Sequence, residues 1–474
     1  MKIRNIALAA LALVGGQAFA LSPAASAAAT TVKVYVSGAT AMRNIIGGLF
    51  TENCVAGTLD VYYSGIGTFS NFAFTANGDA HRVYTCTLAA TSPVLPGQDV
   101  AFYKSDIGGS GQGVFPVHAR TARGFLNLNS CGARAATVPN YVCTGESPTT
   151  GVGAIVPSAG VSDLEPAMFK GINVPKDDAS YPIDGLTEDQ IGELTVSPLF
   201  QTVFGVAVNT ALRDAMQTAQ GLSPIGDTGP QPSISRGLAA TYFSGGLLDP
   251  SVGYGWQPLV SATDAKRATR VNICRRADGS GTQAAANAAF LQFPGGASAL
   301  NIATRANSDA GLTQAVTTPN TTGKAFVYEG STTGNVIACL GGAQDNGAYA
   351  IGHVSAENDS TGAKWRHVRL DGIAPTRDNT KAGLYDYYFE STMQWNNTQY
   401  ATLSPDQQTF LTNFAAFAQT PAALTRLSNA TQNGVAALPG TYAGNYGFGT
   451  AAEIRFGSRV SRGGNSNTPS TYYK

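Results

Sequence analysis

The sequence predicts an α/β protein with a largely parallel sheet. Two observations lead there. Short β-branched runs alternate with helical stretches along most of the chain, the order expected of strands joined by crossover helices. Several of those runs end in turns rich in Gly, Ser, Thr and Asp, the place where open α/β sheets carry ligand contacts. At 474 residues the chain is long enough for two domains.

The elements follow in order. Residues 30–40 (TTVKVYVSGAT) alternate Val32, Val34 and Val36 with polar or aromatic neighbours, which is a strand pattern. A helix is expected over 41–50. Residues 98–106 (QDVAFYKSD) read as a strand that runs into the glycine-rich 107–114 (IGGSGQGV). Residues 154–169 (AIVPSAGVSDLEPAMF) hold a third strand-to-loop transition. Residues 197–209 (SPLFQTVFGVAVN) form a long β run, and LRDAMQTAQ after it is helical. Residues 271–291 (VNICRRADGSGTQAAANAAFL) read as strand, turn and helix. Residues 347–355 make a short buried strand, 383–395 an aromatic strand and 405–420 an amphipathic helix. Tyr385, Tyr387, Tyr388 and Phe389 fit a buried strand between domains better than a carbohydrate platform. Residues 54–96, 131–157, 223–232 and 307–322 are rich in Gly, Ser, Thr, Asn and Pro and read as surface insertions. The last stretch, 461–474, reads as a flexible tail.

The first 20 residues have the layout of a secretory signal: Lys2 and Arg4, an apolar run over 6–14, then Ala-Phe-Ala ending at Ala20. Ala25-Ser26-Ala27 is the alternative cleavage site. No later run holds eighteen apolar residues, so the expected product is periplasmic or extracellular, without a membrane span. Six cysteines and no Cys-x-x-Cys fit disulfides in an oxidising compartment. Pairing of neighbours gives Cys54–Cys86, Cys131–Cys143 and Cys274–Cys339. Thirty basic and thirty acidic residues cancel, which argues against a nucleic-acid partner. The four histidines are scattered, so no metal or other cofactor is expected.

The chemistry concentrates in RRADGSGT, residues 275–282. Glycines let the backbone approach a ligand. Ser280 stands where a helix N-cap belongs, and the first turn of a helix offers unpaired N–H groups and a positive dipole end. Ser280 and Thr282 add hydroxyls, and an arginine can grip two oxygens of an oxyanion at once. Other strand ends repeat the design: Thr40 and the amide of Ala41 after VSG, Ser110 in GGSGQGV and Asp163 in GVSDLEP.

VSGATA, ICRRADGSGT, FGVAVN and GAYAIGHV, in that order, resemble the phosphate-binding proteins of bacterial phosphate ABC transporters. The resemblance runs from Thr31 to about Trp395. It implies the two-lobed type 2 periplasmic-binding-protein fold, with a hinge and several loop insertions. It also implies a phosphate-binding set of Thr40, Ala41, Arg276, Ser280, Gly281 and Thr282, with Asp278 orienting Arg276. Two positions are open. Ser110 with Asp163 is preferred, because that glycine run follows a convincing strand; Thr68 with Asp106 has the more family-like spacing. A carboxylate among donors needs a proton on the ligand, which phosphate and arsenate carry and sulfate does not.

The resemblance further implies lobe I at 30–205 plus 384–474 and lobe II at 206–383. Thr40, Ser110 and Asp163 then lie on the first, and Arg276, Ser280, Gly281 and Thr282 on the second. The expected function is that of a monomeric, non-enzymatic solute-binding protein partnered by an ABC permease. Two alternatives stand beside it: a secreted surface or matrix protein that kept the fold without transport, and a secreted phosphatase-like enzyme.

Overall fold

The computed structural model describes residues 22–28, 30–64, 81–133, 140–175, 181–245, 255–293, 326–382, 384–427 and 434–436. It also describes short strand pieces at 69–70, 73–74, 307–308, 459–460 and 471–472. Residues 1–20, Thr68, most of 307–322 and most of 461–474 lie outside the described residues.

One large mixed sheet organises the chain. Its strands are β1 (Val32–Gly38), β2 (Asp60–Ser64), β3 (His81–Thr87), β4 (Asp99–Ser105), β5 (Asn140–Cys143), β6 (Ala159–Ser162), β7 (Leu194–Asn209), β8 (Asn272–Arg276), β9 (Phe326–Gly330), β10 (Ile351–Ser355) and β11 (Tyr388–Asn396). The spatial order is β9-β8-β10-β7-β11-β6-β1-β4-β3-β2-β5, with residues 307–308 beyond β9. β1 runs parallel to β4 and β6, and β8 runs parallel to β9 and β10. These two parallel groups carry the turns singled out from the sequence.

The sheet is less parallel than expected, for two reasons. β7 is a single sixteen-residue strand that crosses the middle of the sheet. Its first part pairs antiparallel with β11 and its second part antiparallel with β10. The second reason is that residues 54–96 are not a surface insertion. They supply β2 and β3, which pair with each other, and β3 pairs in turn with β4. Val61, Tyr62, Val83 and Tyr84 are buried, so this polar-looking stretch holds genuine core positions. Part of 131–157 likewise joins the sheet edge as β5, beside β2.

The helices are α1 (Arg43–Thr51), α2 (Thr210–Ala219), α3 (Gly281–Leu291), α4 (Thr333–Asp345) and α5 (Pro405–Ala418). The start of α5 follows its sequence closely. Pro405 occupies the first turn, and Ser404 and Gln407 form a reciprocal capping box. Its Phe410 and Phe414 pack at a tilt against Phe102 of β4, and Phe410 also meets Phe50 of α1. Each such ring, fully buried, contributes roughly 1.5–3 kcal/mol. The three expected disulfides are present, Cys54–Cys86, Cys131–Cys143 and Cys274–Cys339. The last ties β8 to α4. Among the described residues no helix is long and apolar enough to cross a membrane.

Candidate functional site

Three glycines bring the first set of turns together. Gly38 ends β1 with φ of +106°, a conformation open to glycine at little cost. A Cβ there would stand 2.2 Å from Val161 O and 2.7 Å from the Cα of Gly113. A Cβ on Gly160 would meet Gly113 O at 1.9 Å. The 3-10 turn Ser110–Gly113 therefore lies directly on β1 and β6, closer than any side chain permits. Ser37 Oγ donates to Gln112 O at 2.8 Å, and Gln394 Nε2 donates to Gly113 O at 2.6 Å. Ser110 is thereby fixed beside Asp163, whose backbone N–H donates to Ser110 Oγ at 3.1 Å.

The second set hangs from β8. After Arg276 the chain turns through Gly279 (φ +82°), and Ser280 caps α3, its hydroxyl accepting from Gln283 N at 3.4 Å. The amides of Gly281 and Thr282 fall in the first turn of an eleven-residue helix, where N–H groups have no intrahelical acceptor. Arg276 is 1% exposed. Its Nε donates to Gly330 O at 3.2 Å, Nη1 to Thr333 Oγ1 at 3.3 Å and Nη2 to Ser331 O at 2.7 Å.

The two sets meet. Arg276 Nη2 also donates to Thr40 Oγ1, at 3.4 Å, and Gly111 N–H donates to Gly279 O at 2.7 Å. A Cβ on Gly281 would lie 2.2 Å from Ser110 Oγ and 2.6 Å from Asp163 Oδ2. Thr40, Ala41, Ser110, Asp163, Arg276, Ser280 and Thr282 are all buried. Asp278 was expected to orient Arg276; its carboxylate lies 3.6 Å from the Arg275 guanidinium, which also holds Glu329 at 2.7 Å.

Electrostatics distinguish the two carboxylates. Burial pushes Asp163 up to about 6, against the opposing pull of the Arg276 guanidinium, the Ser110 hydroxyl and Lys104. Asp106 is equally buried and is ion-paired with Lys104, while its backbone carbonyl accepts from Thr40 Oγ1 at 3.2 Å. Among the described residues, the buried polar atoms at the junction without a hydrogen-bond partner include Asp163 Oδ1 and Thr282 Oγ1, with Asp106 Oδ2 nearby. Of the pair Asp163 and Thr282, the first accepts and the second donates. An unmet buried polar atom costs about 1–3 kcal/mol.

Sequence reasoning missed three residues. Ser331 and Thr333 follow β9 in FVYEGSTTG, a strand, Gly-Ser-Thr turn and helix start like the others. Its proximity to the Asn- and Thr-rich 307–322 concealed the pattern. Lys104 gave no signal, since a lysine two residues from a strand end ordinarily faces solvent.

No protein-family model matches the chain, and no curated protein matches it by sequence. Among solved structures it is similar to a Clostridium perfringens protein assigned as a phosphate ABC transporter substrate-binding protein and solved with bound phosphate. That pair shares 13% identity at a TM-score of 0.43, over 85% of this chain and 98% of the other. It is similar to the ancestral soluble variant of the human phosphate-binding protein, with 12% identity, a TM-score of 0.38 and coverage of 86% and 91%. It is also similar to an ABC-type phosphate transport receptor from Vibrio cholerae, with 13% identity, a TM-score of 0.31 and coverage of 57% and 77%. At these TM-scores the likeness stands beside the site as an observation, and the chemistry rests on the residues themselves.

Proposed function

We propose that this chain is an exported solute-binding protein that sequesters inorganic phosphate, or a similar tetrahedral oxyanion, between two lobes. The observation that carries the reading is the unpartnered pair at the junction, one buried acceptor on Asp163 and one buried donor on Thr282. They flank a buried arginine and a helix N-terminus. A protonated oxyanion satisfies all of these together: it accepts from Thr282, Arg276 and the amides of Gly281 and Thr282, and it donates to Asp163. Thr40, the Ala41 amide, Ser110 and Ser280 complete the cage, and Asp278 with Arg275 sits behind it. The role proposed is binding and not turnover.

The lobes are residues 30–205 with 384–474, and 206–383, joined by β7 and by the segment that leads into β11. The two sides touch directly, so an anion reaches the cage only when they part, and closure follows binding. Disulfides fit the oxidising periplasm or exterior, and delivery to an ABC permease by a monomeric binding protein follows from the resemblance. A second reading, a secreted protein that kept the fold without transport, draws on one observation: Ser110 against Gly281 and Gly111 bonded to Gly279 already fill much of the junction.

Thermal unfolding separates the readings. Phosphate at a hundredfold over its dissociation constant adds about 2.7 kcal/mol to stability and raises the melting temperature, while sulfate does not. Equal melting in phosphate, sulfate and neither favours the second reading. Release of phosphate from a model ester favours an enzyme.

A further inference from the structure

Lys104 lies on β4, 1% exposed, and has no place in the cage just described. Its Nζ donates to Gly38 O at 2.6 Å, to Ala39 O and Ser105 O at 3.3 Å each, and to Asp106 Oδ1. An ammonium has three donors, so every one is engaged. Gly38 and Ala39 immediately precede Thr40, and the carbonyl of Asp106 accepts from Thr40 Oγ1. One cation therefore fastens the turn that presents Thr40 and the Ala41 amide, and neutralises the carboxylate next to it.

We propose that Lys104 positions the Thr40 turn and sets the charge of the anion site, by pairing with Asp106 so that the carboxylate offered to the ligand is that of Asp163. This rests on the phosphate reading above.

The surroundings define what its loss would expose. His81 and Arg82 face the pair from β3, in register with Ser105 and Lys104. Asp163 acts on it from the turn after β6, and Arg276 of β8 acts in turn on Asp163. Glu357 after β10 feels Asp106, Asp163 and Arg82, and Arg43 on α1 acts on Glu357; Glu146 is paired with His81. Burial holds Glu357 well above the usual carboxylate range, which favours its neutral form. Without Lys104, Asp106 loses its ion-pair partner and adds a second negative charge beside Asp163. Two such charges repel doubly ionised phosphate more than the singly ionised form. A lysine that only braced the fold would weaken both forms alike.

Calorimetric titration of the full chain with inorganic phosphate, at about pH 6 and about pH 8 where the two ionisation forms respectively dominate, tests this. Lys104→Met is expected to bind at least ~10-fold more weakly at the higher pH and to lose clearly less at the lower one. Lys104→Arg is expected to keep most of the affinity. The double variant Lys104→Met/Asp106→Asn is expected to recover most of the loss at high pH. Should Lys104→Met fail to fold, Asp106→Asn alone is expected to shift the profile the other way, gaining affinity at high pH. An unaltered pH profile in Lys104→Met, or an equal loss at both pH values without recovery in the double variant, overturns the inference. For Asp106→Asn alone, an unchanged profile does the same. Absence of phosphate binding by the unsubstituted protein overturns the phosphate reading itself, and this inference falls with it.

Discussion

Arg276 Nη2 donates to Thr40 Oγ1 at 3.4 Å across 236 residues of sequence. The contact joins the end of β8 to the end of β1, on opposite sides of the central strands β7 and β11. Arg276→Ala is expected to cost at least ~3 kcal/mol of phosphate affinity, because it removes a buried charge-assisted contact. Arg276→Lys keeps the charge but loses the planar fork, and is expected to fall between. Calorimetry on both variants checks the order; wild-type affinity in Arg276→Ala would remove this residue from the site.

Asp163→Asn is expected to narrow the preference for phosphate over sulfate, since an amide can donate to a fully ionised oxygen where a carboxylate cannot. Asp106→Asn is expected to leave that ratio near the wild-type value at about pH 8, where both anions are doubly charged. Competition titrations with sulfate measure both. The opposite pattern would move the proton-sensing role to Asp106.

The same residue makes a prediction about stability. Burial raises Asp163 from 3.8 to about 6 in the folded protein. Between those values the folded state holds more protons than the unfolded chain, so stability falls as pH rises through the window. Above it the buried charge exerts its full penalty. In phosphate-free buffer Asp163→Asn should therefore be more stable than the wild type above about pH 6, by roughly 2–3 kcal/mol at most. The difference should vanish below about pH 4. Denaturant midpoints across that range test the sign.

Gly281→Ala places a Cβ 2.2 Å from Ser110 Oγ and 2.6 Å from Asp163 Oδ2, too close for any real contact. The two sides must move apart, at roughly 1–3 kcal/mol. Gly237→Ala, in the exposed start of the helix Arg236–Ser244 with nothing within 4 Å, is the control and should gain about 0.5–1 kcal/mol. Ser110→Gly should partly rescue Gly281→Ala. Thermal melts compare them.

Replacing Cys274 and Cys339 by alanine frees α4 from β8. The expected cost is about 2–5 kcal/mol in stability. Phosphate affinity should fall as well, because Gly330 O, Ser331 O and Thr333 Oγ1, which hold Arg276, lie where β9 enters α4. Urea unfolding and titration of the same sample report the two effects separately.

Much of this was legible in the sequence where local rules dominate. The alternation in 30–40, the Pro405 start of α5 and the Ser280 cap each express one short-range preference, and the structure follows them within two or three residues. The disulfides were legible because each cysteine pairs with its neighbour along the chain, at separations of 32, 12 and 65 residues. What escaped depended on distant partners. Residues 54–96 look polar, yet β2 and β3 are buried by β4 and by the chain packed on them. Lys104 carries no signal in the sequence, because its role depends on the carbonyls of Gly38 and Ala39, 66 and 65 residues away. Thr333 gains meaning only from Arg276, 57 residues away.

Isothermal titration of the purified protein with inorganic phosphate, first alone and then in excess sulfate, tests the central claim most directly. The geometry predicts saturable binding of one phosphate per chain that sulfate does not displace and that Thr282→Val and Asp163→Asn each weaken. Absence of heat and of any shift in melting, or binding that sulfate abolishes and these two substitutions leave untouched, would contradict it.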